Sequence, residues 1–329
     1  MTRPRISVII TAFNRRKYLK NAIDSVLNQT LDSAMYEIII VTNFEVDLQI
    51  DKKHFSSIII CNTEKERLNL MIYGIKAAKG DYLCFLDDDD LFNKDKLELI
   101  FHLFEIHGSL GYIHNVFGLI DEIGNNVESN VVLKRFKQVE NSFYIRYNSI
   151  RKNIKKITKF NGFVNLSSIS IRKSVINWNN LDFFSDLPGN MDEFIFYELL
   201  QSGYDILLSG NKLSYYRIHP ENNSKPKNLI EMNYYNHRLY ESVKMLNTLL
   251  ERTKFSYYGR MKLKYWEYKT HLFENDSDIT IGFLTGTIYS LVKYRTDYFF
   301  SIVVFTVYRI IFNRPPISLV FKYESEKNT

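Results

Sequence analysis

Cysteine, proline and glycine are all scarce: the 329 residues include 2 Cys, 6 Pro and 13 Gly. Two cysteines build neither a disulfide framework nor a cysteine-rich zinc site, so the fold must rest on its own core, and a reducing compartment is expected. Both thiols, Cys61 and Cys84, lie inside apolar strand-like runs and read as buried and free. The low glycine and proline content excludes collagen-like and low-complexity chains. No apolar run reaches the roughly 20 residues of a membrane-spanning helix. The longest uncharged hydrophobic stretch is "YFFSIVVFTVY", 298–308, and the apolar run after Arg5 is too short for a signal-peptide core. A cytoplasmic protein is therefore expected. There is no G-x-G-x-x-G after the first apolar run and no G-x-x-x-x-G-K-[ST], which argues against a dinucleotide site and a P-loop. No zinc pattern, Ser-His-Asp arrangement or internal repeat stands out, and no nucleic-acid partner is expected.

What is present is a folding composition, 45% hydrophobic and 24% charged, with 24 Phe and 23 Tyr. The formal net charge of +6 is spread unevenly. Between Lys134 and Lys159 nine basic residues face a single acid, Glu140. This stretch is a solvated helix face, a site for a phosphate-bearing substrate, or a contact with anionic lipid.

Apolar runs at 6–13, 36–42, 56–62 and 81–86 read as strands buried on both faces. Between them, 15–31 and 64–79 carry helical spacing, with Asn14 placed to cap the first helix and Gly80 to end the second. Strands alternating with helices predict a parallel sheet covered on both sides. A helix over 94–106, strands near 110–120, 125–133 and 163–176, an amphipathic helix over 191–201 and two strands in "YDILL" and "KLSYYRIH" follow. The polar stretch "HPENNSKPKN", 219–228, marks a boundary, and helical periodicity dominates beyond it.

The fourth run, "YLCFLDDDDLF", carries the chemistry. It drives a buried strand straight into four aspartates, Asp87 to Asp90. Two carboxylates about 4 Å apart repel by about 4 kcal/mol at an effective dielectric near 20. Such a cluster at a strand end calls for positive charge. In open α/β sheets ligands bind beyond the carboxyl ends of the strands. Mg²⁺ and Mn²⁺ take carboxylate oxygens together with phosphate and water, so a metal–diphosphate site is expected. A phosphatase built on a strand-end nucleophile would want Asp-x-Asp-x-Thr, whereas Asp90 and Leu91 follow Asp89.

Taken in order, "SVIITAFNRRKYLKNAIDSVLNQT" (7–30), "YEIIIV" (36–41), "GIKAAKGDYLCFLDDDD" (74–90), "MDEFIFYELLQSGYDILL" (191–208) and "YYRIHPENNS" (215–224) resemble the family 2 glycosyltransferases. The resemblance covers roughly the first two-thirds of the chain. It implies a GT-A-type, Rossmann-like, mostly parallel sheet flanked by helices. It also implies metal-dependent transfer, usually inverting, of a sugar from a nucleotide sugar to an acceptor hydroxyl. Thr11, Ala12, Phe13 and Asn14 then lie where the end of the first strand meets the nucleotide, and Asn43 lies near the base. Asp87-Asp88-Asp89 matches the Asp-x-Asp motif: Asp89 is the metal ligand, and Asp87 and Asp88 hold ribose, metal-bound water or sugar. His219 matches a histidine that approaches the metal or diphosphate, and Arg67 is placed to approach the diphosphate. Asp192 aligns with the aspartate of a Glu-Asp pair, the usual general base, and a helix start favours its charged form.

The pattern departs from the family at several places. The residues after the second strand are Thr42, Asn43, Phe44 and Glu45 rather than Asp-Asp-Gly-Ser, so the donor base is open. Met191 stands before Asp192 where an acid is usual, and no Gln-x-x-Arg-Trp motif of processive synthases occurs. The expected layout is a catalytic domain over 1–225, with a nucleotide-sugar half about 1–115 and an acceptor half about 116–225. A C-terminal all-helical extension would follow over 226–329. Within it, "TIYSLVKYRTDYFFSIVVFTVYRIIFNR", 287–314, mixes aromatic and basic residues. That mixture suits a helix at a bilayer surface, or one packed on the domain or on a second copy in a homodimer. A surface helix would serve a glycan or lipid-linked acceptor on the inner face of a membrane. Two rivals share features: a nucleotidyltransferase, which usually has a glycine-rich loop that "TAFNRRKYL" lacks, and a non-catalytic sugar-nucleotide or glycan-binding module.

Overall fold

The structure is a computed structural model that describes residues 3–46, 58–62, 67–128, 137–183, 187, 189–222 and 228–273. The chain divides into two compact units. One comprises the residues up to Leu187 with Met191–Pro220, and the other Pro188–Asn190 with the residues from Glu221 on.

The first unit is built on a nine-stranded sheet. Strands β1 (Ile6–Ala12), β2 (Tyr36–Thr42), β3 (Ile58–Asn62) and β4 (Tyr82–Asp87) are parallel, in the order β3-β2-β1-β4. All seven residues of β1 and of β2 are buried, which is why they read as unbroken apolar runs. Their side chains alternate between two cores. Ile6, Val8 and Ile10 of β1 join Ile23 and Val26 of α1 (Leu19–Leu27) and Ile100 and Phe104 of α3 (Lys96–Ile106). On the other face, Ile9 and Val41 meet α2 (Arg67–Ala77), where a Cβ on Gly74 would come within 2.3 Å of Ile9.

Beyond β4 the sheet is mixed. Strand β8 (Ile169–Arg172) lies antiparallel between β4 and β6 (Leu110–Ile120), and β6 pairs in parallel with β9 (Asp205–Arg217). The other edge of β9 holds β7 (Phe143–Ile145) on its first half and β5 (Leu91–Phe92) on its second. An apolar run reports burial on both faces and not the direction of its neighbour, so the parallel half was legible and the mixed half was not. The two strands expected in "YDILL" and "KLSYYRIH" are one strand of 13 residues. Register shifts against β6 between Asn115 and Phe117 absorb the polar Ser209–Asn211 without breaking the ladder.

Helices α4 (Tyr147–Lys159), α5 (Trp178–Phe183) and α6 (Met191–Ser202) complete this unit. Helix α6, expected to be amphipathic, is buried on every side from Glu193 to Leu200. The second unit contains α7 (Leu229–Leu250), capped by the Asn228 side chain on the Glu231 amide, packed against α8 (Ser256–Phe273). Of the strand expected over 125–133, Asn126 forms an isolated bridge to Ile120, and 129–133 lie outside the described residues. The aromatic-basic segment 287–314 also lies outside them, as does the side chain of Cys61; Cys84 is a buried free thiol. Among the described residues no helix is long and apolar enough to cross a membrane.

Two loops differ from expectation in ways that matter to the site. Helix α1 begins at Leu19, not at residue 15, and Asn14 does not cap it. Asn14 instead adopts a left-handed backbone, φ 56°, which asparagine tolerates better than most residues. The following residues, 15–18, run as a loop that ends in a turn at 17–18 and brings Arg15 to the acids at the end of the sheet. Gly80 does not close a helix by a left-handed turn. It packs flat on β1, its amide donating to Ser7 Oγ (2.8 Å) while Ser7 donates to the buried Glu37 (2.6 Å).

At the first residue of α3, Lys96 is fully buried. Its ammonium donates to Asn115 Oδ1 (3.0 Å) and the Ser167 carbonyl (2.6 Å) and sits over the Phe92 ring. It thereby ties α3, β6 and the turn before β8 together beneath the end of β4.

A Cβ on Gly80 would stand 2.6 Å from the Ser7 amide nitrogen and 2.7 Å from the Ile6 carbonyl carbon, so backbone must move. Gly80→Ala should cost roughly 1–3 kcal/mol in denaturant unfolding, and a wild-type midpoint would refute the close-approach reading. Burial pulls the Lys96 ammonium from 10.5 down to about 7, against the opposing pull of Cys84 and Asp90. Between those values the unfolded chain holds a proton that the folded chain has shed, so this group makes stability rise with pH across that window. Lys96→Met should flatten that rise in thermal melts; an unchanged slope would contradict it.

Candidate active site

The four aspartates form the turn that joins β4 to β5, closed by the Asp90 amide on the Asp87 carbonyl (3.2 Å). The turn sits at the carboxyl end of the parallel half, beside the end of β1. Asp88, Asp89 and Asp90 are buried and Asp87 is half-buried. Asp87, Asp89 and Asp90 each offer a carboxylate oxygen, and these atoms lie within 4.8 Å of one another.

The mutual repulsion shows at Asp90. Burial first, then the charges of Asp89 and Asp87, push its carboxyl well above the ordinary range, against hydrogen bonds from Ser167 and the Arg217 amide. Ser167 Oγ also accepts from the Asp87 amide (3.1 Å), so one hydroxyl holds both ends of the turn.

Arg15 supplies positive charge. Its guanidinium grips both oxygens of Asp88, Nε and Nη2 each at 2.7 Å, and also pairs with Asp89. Burial would lower its pKa, but the hydrogen bonds to Asp88 and the charges of Asp89, Asp88 and Asp87 hold it above its ordinary value. His219 is the second partner: its Nε2 lies 3.0 Å from Asp89 Oδ2 and 3.3 Å from Arg15 Nη1, with the ring tilted against Tyr18.

Arg217, two residues before His219 on the same chain, is fully buried. Its amide donates to Asp90 Oδ1 (3.0 Å) and its Nε to the Asp89 carbonyl (2.7 Å). Nη1 reaches the carbonyls of Asp121 and Glu122, both at 3.0 Å. Arg217 thus fastens the aspartate turn to the loop after β6, and its guanidinium lies over the Tyr18 ring.

The expected site residues are thus placed as follows. Asp87 and Asp89 come together with Asp90, and His219 lies beside Asp89. Asp88 turns to Arg15. At the ends of β1 and β2, Asn14 and Asn43 pair reciprocally: the Asn14 amide donates to Asn43 Oδ1 (2.8 Å) and Asn43 Nδ2 to Asn14 Oδ1 (2.6 Å). Thr11 and Ala12 are buried in β1, and Phe13 is half-buried beside them. The Arg67 side chain lies outside the described residues. Asp192 is half-buried in the first turn of α6, its Oδ1 accepting from the Glu193 amide (2.9 Å). Near it, burial and then the Asp192 charge push the Tyr112 phenol up.

Arg15, Ser167 and Arg217 were not singled out from sequence, and Asp90 was noted there only as one of the four aspartates without a role of its own. "TAFNRRKYL" shows two arginines past a strand end, but only the β1–β4 pairing, Thr11 opposite Asp87, brings Arg15 to the acids. The donor set fits a hard divalent cation: clustered carboxylate oxygens, one carboxyl strained upward by its neighbours, and an imidazole alongside.

Comparison with known proteins agrees with this geometry. The poly(ribitol-phosphate) beta-N-acetylglucosaminyltransferase TarP of Staphylococcus aureus is 34% identical over 105 residues, 30% of this chain and 32% of that protein. An uncharacterized glycosyltransferase of Rickettsia felis is 35% identical over 138 residues, 38% of this chain and 21% of that protein. The matches therefore span a third or less of the length of these curated relatives. The crystal structure of S. aureus TarS 1-349 in complex with UDP-GlcNAc shares the fold, with a TM-score of 0.55 at 14% identity over 87% of this chain and 79% of that one. The family model of glycosyl transferase family 2 matches residues 7–176, more than half of the chain, and the chain belongs to that family.

Proposed function

We propose that this protein is an inverting, metal-dependent glycosyltransferase that moves a sugar from a nucleoside-diphosphate sugar to an acceptor hydroxyl. The observation that carries this reading is the carboxylate turn Asp87–Asp90, met by Arg15 and His219 at the carboxyl end of a family 2 sheet. Asp87, Asp89 and Asp90 would hold Mn²⁺ or Mg²⁺, with His219 beside Asp89. The bound cation would offset the negative charge that builds on the diphosphate as it leaves.

The chain's own residues do the rest. Arg15, gripping Asp88, fixes the turn and keeps a positive charge facing the phosphates. Thr11, Ala12 and Phe13 line the nucleotide, and the Asn14–Asn43 pair presents amide groups toward the base. Arg67, in the first turn of α2, is assigned to the diphosphate on the sequence pattern alone. Asp192 takes the proton of the acceptor hydroxyl as its oxygen attacks, and the α6 N-terminus keeps that carboxylate charged. Attack from the face opposite the leaving group inverts the sugar carbon. The TarS structures with UDP and UDP-GlcNAc support a uridine donor. The acceptor is a glycan or lipid-linked surface polymer, in keeping with the name of TarP. The aromatic-basic segment 287–314 would hold the enzyme at the membrane surface or against a second copy.

Calorimetric titration with UDP, GDP, dTDP and CMP, each with Mn²⁺, Mg²⁺ or EDTA, should give metal-dependent binding of UDP alone. Asp89→Asn should weaken it by about tenfold or more. Failure of the folded protein to bind any of the four would reject the donor site. Asp192→Asn should lower transfer by about 10²–10⁴-fold while leaving UDP affinity unchanged. Full activity in that variant would remove Asp192 from the mechanism.

A further inference from the structure

Arg15 holds two carboxylates at once, and the second of them matters for the metal. Its Nε and Nη2 grip both oxygens of Asp88 at 2.7 Å. Nη2 also reaches Asp89 Oδ2 at 2.5 Å. That same oxygen lies 3.0 Å from His219 Nε2, which in turn lies 3.3 Å from Arg15 Nη1. Asp89 is one of the three carboxylates assigned to the cation above. A guanidinium at hydrogen-bond distance from a metal-binding carboxylate repels the metal, and the low dielectric of a part-buried site strengthens that repulsion. Arg15 does not escape it by shedding a proton. Burial opposes its charge, but the hydrogen bonds to Asp88 and the charges of Asp89, Asp88 and Asp87 keep it protonated. A lone divalent cation therefore meets a resident competitor at Asp89.

A diphosphate reverses the balance. Its oxygens offer negative charge to the metal and to the guanidinium together, and a planar fork of N–H groups suits phosphate as well as carboxylate. The fold lets the side chain change partner while the backbone stays. On one side of Arg15, Asn14 is pinned to Asn43. On the other, the Tyr18 hydroxyl donates to Glu122 (3.2 Å) and the Tyr18 ring lies under Arg217. Residues 15 and 16 between these anchors belong to no helix or strand, and the Arg15 side chain keeps 12% exposure at the mouth of the site. The exchange needs only a rotation that gives up Asp89 while Nε stays on Asp88.

We propose that Arg15 is an internal counter-cation that holds Asp89 against a free divalent metal and yields it when a diphosphate accompanies the metal, so that metal and nucleotide bind as a coupled pair. The inference rests on the metal-dependent reading above and adds a regulating residue to it.

The test is calorimetric titration of Mn²⁺ into the full chain, with and without saturating UDP, for the wild type, Arg15→Gln and Arg15→Lys. Without UDP, Arg15→Gln should bind Mn²⁺ about tenfold or more tightly than the wild type, and the factor by which UDP tightens Mn²⁺ binding should shrink to match. A purely structural arginine gives the opposite sign, because a loosened turn holds metal less well. Arg15→Lys keeps the charge that the fold requires, but a single ammonium cannot grip Asp88 as a fork and reach Asp89 as well. It should fall between the other two, and it carries the test if Arg15→Gln does not fold. Metal-alone affinity in the folded variants equal to or weaker than that of the wild type overturns the proposal while leaving the metal site standing. A wild type that binds no Mn²⁺ even with UDP rejects the metal-dependent reading itself, and the role of Arg15 with it.

Discussion

Four carboxylates share one turn at the end of a buried strand, and the need to balance their charge organises that whole end of the sheet. Arg15 meets Asp88 and Asp89 from the β1 side, and His219 meets Asp89 from the β9 side. Lys96 lies below, within electrostatic range of Asp90, but burial lowers its pKa to about 7 and limits the charge it brings. Each of these groups is buried or nearly so, where an unbalanced charge is costly. The balance is still incomplete, since Asp90 remains pushed upward by its neighbours. An added cation at the turn would relieve that strain, which is the physical basis of the metal site proposed above.

The turn is held by hydrogen bonds as well as by ion pairs. Ser167 bonds to both Asp87 and Asp90, and the Arg217 side chain collects backbone carbonyls from the turn and from the loop after β6. These contacts fix the backbone and leave the carboxylate oxygens of Asp87, Asp89 and Asp90 close together. A site that must stabilise developing charge works best when its groups are already placed. The long strand β9 is the element that makes this possible, because its last residues deliver Arg217 and lead directly to His219.

The fold and the site were legible to different degrees. The parallel strands β1, β2 and β4 announced themselves as apolar runs, and "DDDD" at the end of the fourth marked the carboxyl edge. The Asp192 position was readable as a helix start. Asn14 misled, since a cap residue and a residue that tolerates a left-handed turn are the same residue type. Gly80 misled in the same way: a glycine after a helix suggests a stop, yet its lack of a side chain serves close contact with Ser7 and Ile6. Helix α6 looked amphipathic because periodicity cannot reveal that elements cover both of its faces.

By itself the sequence determined the alternation of strands and helices, the acids at the end of β4 and the basic charge of α4. These depend on residue type and local spacing, and hydrophobic burial writes them into every few residues. Only the tertiary structure decided which groups answer the acids. Arg15 lies 73 residues from Asp88, Arg217 lies 127 from Asp90, and His219 lies 130 from Asp89. Strand order brings them together, and strand order follows from how the whole sheet buries its two faces, which no local pattern records.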